Sequence, residues 1–263
     1  MRENIGGLTL AAALTAGLSL AAPAVAQTTP DNKDALKCQT NQAKNSEKFV
    51  GSKAKCAMKC LVAARKTSGP YTACQPPGFT DPATNTCISN AQAKASAAIA
   101  KGCANDCPDC YADDSPSNCP DGDGFIQNAN NQVNAFGPLV FCLEAAGNTP
   151  TKEQAKCEDG VAKALVKYVA AFGKAVAKCV TNDFNAKIPD GACAFSGTTV
   201  PDPATQTALD TAQTKAIAAI DKVCASAGAN PACYGTAFDT GQEWTNLVES
   251  VLAGAQGNSY CGM

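Results

Sequence analysis

Two stretches of this chain are copies of one another, and that repetition limits the fold more than its composition does. Lys37 to Cys74 aligns without gaps on Lys156 to Cys193, an offset of 119 residues. Lys37, Cys38, Ala43, Lys44, Lys48, Val50, Lys55, Lys59, Cys60, Pro70, Ala73 and Cys74 all recur. After a two-residue insertion, Asp81 to Ala104 aligns on Asp202 to Ala225 with 15 of 24 positions identical. Further on, Cys110-Tyr111 corresponds to Cys233-Tyr234, and Cys142 to Cys261. Gly147 to Pro150 is rich in turn formers and separates the copies. The expected organisation is a signal segment over 1–26, a tail over 27–36, a cysteine-rich helical module over 37–147, a linker over 148–155 and a second module over 156–263.

Each copy reads as helical, so the expected fold class is all-α: a duplicated, disulfide-stapled antiparallel hairpin with a third helix. Leu165, Val169, Phe172, Val176 and Val180 recur at steps of three and four and predict a helix from about residue 155 to about residue 182. Its counterpart in copy one stops before the breaker cluster Thr67-Ser68-Gly69-Pro70. Asp81-Pro82 and Asp202-Pro203 each predict a helix start: aspartate caps free backbone N–H groups, and proline at the first helical position sacrifices no helical bond. The third helices are expected near 125–146, interrupted at Gly137-Pro138, and near 235–253.

Cysteine takes its meaning from the compartment. Arg2, the apolar run Leu8 to Ala22 and Ala24-Val25-Ala26 read as a cleavable secretory signal. The expected location is secreted or periplasmic, with association at the cell surface. In an oxidising compartment the 16 cysteines are most simply eight disulfides. Cys56 and Cys87 are both alanine in copy two (Ala175 and Ala208), as expected of bonded partners. Such a bond implies an antiparallel hairpin, in which facing residues have a nearly constant index sum, and so pairs Cys38 with Cys103 and Cys157 with Cys224. Elimination within each copy then pairs Cys60 with Cys74, Cys179 with Cys193, Cys110 with Cys142, Cys233 with Cys261 and Cys107 with Cys119.

The absence of histidine removes Ser-His-Asp and Cys-His nucleophiles, His-bearing zinc sites and axial-His haem. Among seven glutamates no pair stands out as acid and base, so no catalytic residue and no enzymatic activity are expected. A net charge of -2 does not suggest a specific nucleic-acid binder, and no later apolar run reaches the ~20 residues of a membrane span.

The stretch from Gly102 to Phe125 matches pieces of several site motifs. Cys103-x3-Cys107-x2-Cys110 has the spacing of a radical S-adenosylmethionine cluster triplet, and Cys107-Pro-Asp-Cys110 resembles a thioredoxin-type redox site. Neither has its structural context: the strands are missing, and copy two carries no triplet. Asp121-Gly-Asp123-Gly124 resembles the middle of a calcium loop, although Cys119 and Asn130 fall where carboxylates belong. Asp121 and Asp123 are therefore the expected ligands of a weak calcium site; no other cofactor is expected.

The lysines are periodic. Lys37, Lys44, Lys48, Lys55 and Lys59 are spaced 7, 4, 7, 4, and Lys156, Lys163, Lys167, Lys174 and Lys178 repeat that spacing. At ~100° per residue all five of each set fall in one narrow stripe. From Lys33 to Lys66 there are nine basic and two acidic residues, whereas Asn105 to Gly124 holds six aspartates and no base. A stripe of this kind is either a solvated face or a surface for a polyanion, such as a surface polysaccharide or an anionic lipid headgroup.

Lys-Cys, a lysine-rich helix, a second Lys-Cys, Asp-Pro-Ala-Thr and an Ala/Lys helix ending in cysteine together resemble the cysteine-rich helical repeats of exported, uncharacterised bacterial proteins. The resemblance spans 37–111 and 156–234 and implies no activity. The expected function is a non-enzymatic structural or binding protein that docks polyanions through its lysine stripes. The rivals are a carrier of a small apolar ligand between helices, a calcium-binding surface module and a carboxylate-based hydrolase.

Overall fold

The first helix of each copy begins at a side-chain cap. Asn32 Oδ1 accepts the Asp34 and Ala35 amides at 2.8 and 2.9 Å, and α1 runs Lys33–Thr67. Thr151 and Gln154 form a capping box, each side chain bonded to the other's backbone amide, and open the helix Lys152–Phe184. Both helices thus start inside the stretches read from sequence as tail and linker. The computed structural model describes residues 30, 32–67, 71–75, 78–112, 122–142, 150–225 and 228–260. Residues 1–26, read as a signal, lie outside them.

Asp81 and Asp202 cap the second helices, α2 (Pro82–Gly102) and its counterpart Pro203–Cys224, by accepting the Thr84 and Thr205 amides at 2.7 and 2.9 Å. In each, proline occupies the first turn. Copy one continues through a four-residue helix, α3 (Asp109–Ala112), to α4 (Asp123–Val140). Copy two comprises α5 (Lys152–Phe184), α6 (Pro203–Cys224) and α7 (Gly241–Ser259). Among the described residues the β pairing is confined to an isolated Ser196–Thr199 bridge, and the fold is all-α.

Each hairpin, α1 with α2 and α5 with α6, is closed by disulfides. Cys38 is bonded to Cys103, Cys56 to Cys87, Cys60 to Cys74, Cys157 to Cys224 and Cys179 to Cys193.

A further framework bond crosses between the copies. Cys142 is joined to Cys233, which replaces the expected pairs Cys110–Cys142 and Cys233–Cys261. Cys107 and Cys110 are both disulfide-bonded, while Cys119 and Cys261, the partners at issue for the Cys107–Cys119 and Cys233–Cys261 pairings, lie outside the described residues. The physical reason for the exchange is the packing of α1 on α5. These helices run antiparallel: Gly51 lies against Val166, Gly173 against Glu47, and Arg65 near the far end of α1 binds Glu158 and Asp159 near the start of α5 at 2.6 and 2.9 Å. The copies therefore face each other about an approximate two-fold axis, and the end of one copy's third helix reaches the Cys-Tyr segment of the other. Tyr234 donates its hydroxyl to the Val140 carbonyl at 2.7 Å, and Tyr111 donates to the Ser259 carbonyl. Val140 and Ser259 are equivalent positions, so the two bonds are reciprocal. The same equivalence holds in the ring pairs Tyr111–Phe125 and Tyr234–Trp244, both edge-to-face with centroids 4.7 and 4.9 Å apart.

The main core is continuous across the copies. Leu61, Phe79 and Val140 from copy one share it with Leu165, Phe172, Leu209 and Trp244 from copy two. A smaller core under α2 and α4 gathers Phe49, Ile99, Tyr111 and Ile126.

Candidate functional site

The crossing of α1 and α5 leaves space at the two-fold axis. Val50 and Val169, equivalent residues near the crossing, line one side of a cavity of about 140 Å³ that is partly open to solvent, and α4 and α7 form the other. Ala129 with Val248, and Val133 with Leu252, are further equivalent pairs on its wall. The lining is overwhelmingly apolar and comes from both copies. Copy-to-copy equivalence of the lining follows from the fold: a site on a two-fold axis receives the same positions twice.

Glu47 lines part of this cavity and lays its carboxylate against the backbone of α5. A Cβ placed on Gly173 would lie 1.3 Å from Glu47 Oε1, so the carboxylate occupies the volume that any larger residue would take. Gly173 is therefore a positioning residue for Glu47. The charge of Glu47 acts on the Tyr260 phenol, which burial first and this carboxylate second push well above the ordinary tyrosine range.

A second polar feature lies beside the cavity. Lys53, only 2 % exposed, stands where copy two packs Phe172. Its Nζ donates to the Asn130 carbonyl at 3.2 Å and to the side-chain oxygens of Asn130 and Asn134, and it lies 5.8 Å from the centroid of the Phe79 ring. Burial pushes its amine down to about 8. The substitution of Phe172 by lysine at this position therefore does not open the first hairpin to water; an amide cage from α4 closes over the ammonium.

The lysine stripes lie on the surface. Lys37, Lys44, Lys48, Lys55 and Lys59 are exposed, as are Lys156, Lys163, Lys167, Lys174 and Lys178. Among the described residues the ion pairs are those of Arg65, and none of the ten lysines takes part in one.

Of the calcium-loop residues, Asp121 lies outside the described residues. Asp123 opens α4 and accepts the Ser96 hydroxyl at 2.6 Å. Gly122, with φ of 67°, turns the chain tightly against Ile99, where a Cβ would approach to 2.8 Å. The glycine of the motif thus serves the start of α4. Among the described residues no group of three or more metal-type side chains is found. The apparent cluster triplet is likewise committed elsewhere: Cys103 is bonded to Cys38, and Cys107 and Cys110 are both in disulfides.

Two carboxylates are held above their ordinary range. Asp183 is raised by burial and then by Asp190, and Glu249 by burial, which the neighbouring Tyr168 hydroxyl opposes and Asp210 reinforces less strongly. Neither lines the cavity. Among the described residues no helix is long and apolar enough to cross a membrane.

Comparison with protein families, curated proteins and solved structures finds no match. Sequence reasoning raised an apolar ligand between helices as a rival reading but did not place the cavity. Its signal was available in the copies themselves, where Val50/Val169 and Ala129/Val248 are apolar at equivalent places, but locating it requires the crossing of α1 and α5.

Proposed function

We propose that this chain is an exported, non-enzymatic binding protein that holds a small apolar ligand in the cavity on its two-fold axis. The observation that carries this reading is the cavity itself: about 140 Å³, lined by apolar side chains of four helices. An apolar space of roughly 150 Å³ admits benzene, so size and lining suit a ligand of one ring or a short branched chain. Disulfides on both hairpins and across the copies hold the walls, which keeps the space from collapsing when empty. Titration with toluene, followed by NMR, is expected to give saturable shifts at residues lining the cavity and a higher melting temperature. Val133→Phe and Val248→Phe, which fill the space from α4 and from α7, should each abolish those shifts while leaving the helical circular dichroism intact. Absence of saturable binding in the wild type, or binding unchanged in both filled variants, would reject the reading.

A second reading is favoured by the exposure of all ten stripe lysines without ion-pair partners among the described residues. In it the outer faces of α1 and α5 dock on a polyanionic surface polymer or headgroup layer. The protein should then be retained on a heparin-like resin and elute as salt rises, because exposed charges are screened within about 10 Å at 0.1 M salt. Reversal of Lys44, Lys48 and Lys55 to glutamate should move elution to markedly lower salt. Retention indifferent to both salt and reversal contradicts it.

A further inference from the structure

We infer that the lysines of both copies form one broad basic face and that this face lies on an anionic lipid headgroup layer; this names the partner in the polyanion reading and rests on it.

The neighbours of α1 fix where its stripe points. Gly51 meets Val166 of α5, Cys56 is bonded to Cys87 of α2, and Lys53 is covered by Asn130 and Asn134 of α4. Lys55, two residues beyond Lys53, points about 160° away from it, into the gap between α5 and α2. The stripe therefore lies opposite α4. The two-fold axis that relates the antiparallel helices α1 and α5, packed side by side, runs perpendicular to both. It carries one stripe onto the other without changing the side to which they point. The cavity, lined by α4 and α7 together with α1 and α5, places both third helices on the other side.

The second helices extend the same face. Ser96 and Ile99 of α2 meet the start of α4 at Asp123 and Gly122. Lys101, two residues beyond Ile99, is again about 160° from that contact, and Lys94, seven residues earlier, shares its side. Lys215 and Lys222 are their equivalents on α6, and all four are exposed. The acids of these helices are directed elsewhere. Glu47 lies against Gly173, Glu158 and Asp159 bind Arg65, Asp183 is buried, and Asp221 accepts the Gly241 amide of α7 at 2.7 Å. Asp210 lies about 140° around α6 from Lys215, and Asp34 and Glu153 occupy the first turns of α1 and α5. In α2 there is no acid. The third helices reverse the pattern: α4 and α7 hold Asp123, Glu243 and Glu249 and no lysine or arginine.

The shape of the face chooses among polyanions. From Lys37 to Lys59 the stripe runs about 33 Å, and four helices side by side at about 10 Å give a comparable breadth. A single polysaccharide chain follows one row of lysines, whereas rows on four adjacent helices match a plane of charges. Among the described residues the exposed large hydrophobic side chain is Val62. The contact is therefore electrostatic, without an apolar wedge to enter the acyl region.

The test is sedimentation of the full disulfide-bonded protein with vesicles of phosphatidylglycerol in phosphatidylcholine. The wild type is expected to bind them at low salt, to be released as salt rises, and to ignore vesicles of phosphatidylcholine alone. Lys94→Gln, Lys101→Gln, Lys215→Gln and Lys222→Gln together, which leave the α1 and α5 stripes intact, should weaken binding about tenfold or more. Gln127→Glu, Asn128→Asp, Asn131→Asp and Ser250→Glu shift the net charge equally from exposed positions on α4 and α7, and should leave binding within about threefold. Equal weakening by the two sets, or equal binding to phosphatidylcholine alone, overturns the assignment of the face. Retention on the heparin-like resin without binding to the mixed vesicles overturns the headgroup partner and leaves the polyanion reading standing. Failure to bind either overturns both.

Discussion

Replacement of Cys142 and Cys233 together by alanine is expected to lower the stability of the folded chain by about 3.5 kcal/mol, read from denaturant unfolding under non-reducing conditions. The two residues are 91 positions apart, but Cys157–Cys224 already shortens the path between them. The loop that their bond closes in the unfolded chain is therefore roughly 25 residues, and its closure entropy sets the estimate of about 3.5 kcal/mol. The loss falls on the contact between copies, since Cys142 ends α4 and Cys233 precedes the tyrosine that binds Val140. A non-reducing peptide map checks the same bond directly. It should join Cys142 to Cys233, and the two-fold relation makes Cys261 the expected partner of Cys110. A map joining Cys110 to Cys142, or a stability loss below about 1 kcal/mol, would refute the exchange.

Lys53 is expected to make stability rise with pH where most proteins have passed their optimum. In the unfolded chain its amine titrates near 10.5, as an exposed lysine does, and in the folded protein burial brings it down to about 8. Below pH 8 the ammonium is charged in both states and the full desolvation cost is present. Between pH 8 and 10.5 the unfolded chain binds more protons, so stability increases with pH through this window. Above it the cost is gone. The shift corresponds to about 3 kcal/mol at most. Lys53→Met removes the titration and keeps the length of the side chain. Subtracting its stability from that of the wild type at pH 7 and at pH 10 cancels the contribution of the other lysines. The difference should move by about 2 to 3 kcal/mol in favour of the wild type at the higher pH; a flat difference would mean that the Asn130 and Asn134 cage keeps the amine near its solution value.

The local structure was legible because its signals are local. Asp81-Pro82 and Asp202-Pro203 start helices wherever they occur, since the cap and the missing N–H act within one turn. The shared presence of Cys56 and Cys87, and their shared loss in copy two, was enough to set the register of α1 on α2. What escaped was all that depends on the second copy. Elimination of cysteine pairs assumed that each repeat closes on itself, and Cys142 and Cys233 instead find their partner across the two-fold axis. Position 53 reads as polar surface in a lone α1, and only Asn130, Asn134 and Phe79, distant in sequence, bury it. The cavity escaped for the same reason: Glu47 is one of two acids in a basic segment until Gly173 is brought against it.

Through the reciprocal bonds Tyr111 to Ser259 and Tyr234 to Val140, each copy leaves a buried hydroxyl to be satisfied by the other. Each half finishes the other's polar interior. Drift in one half is therefore free to specialise while the other preserves the frame, and a symmetric ancestor of two identical chains could offer only a cavity with matching ends. Fusion into one chain is what allows the residue facing Gly173 to become glutamate while its twin remains valine.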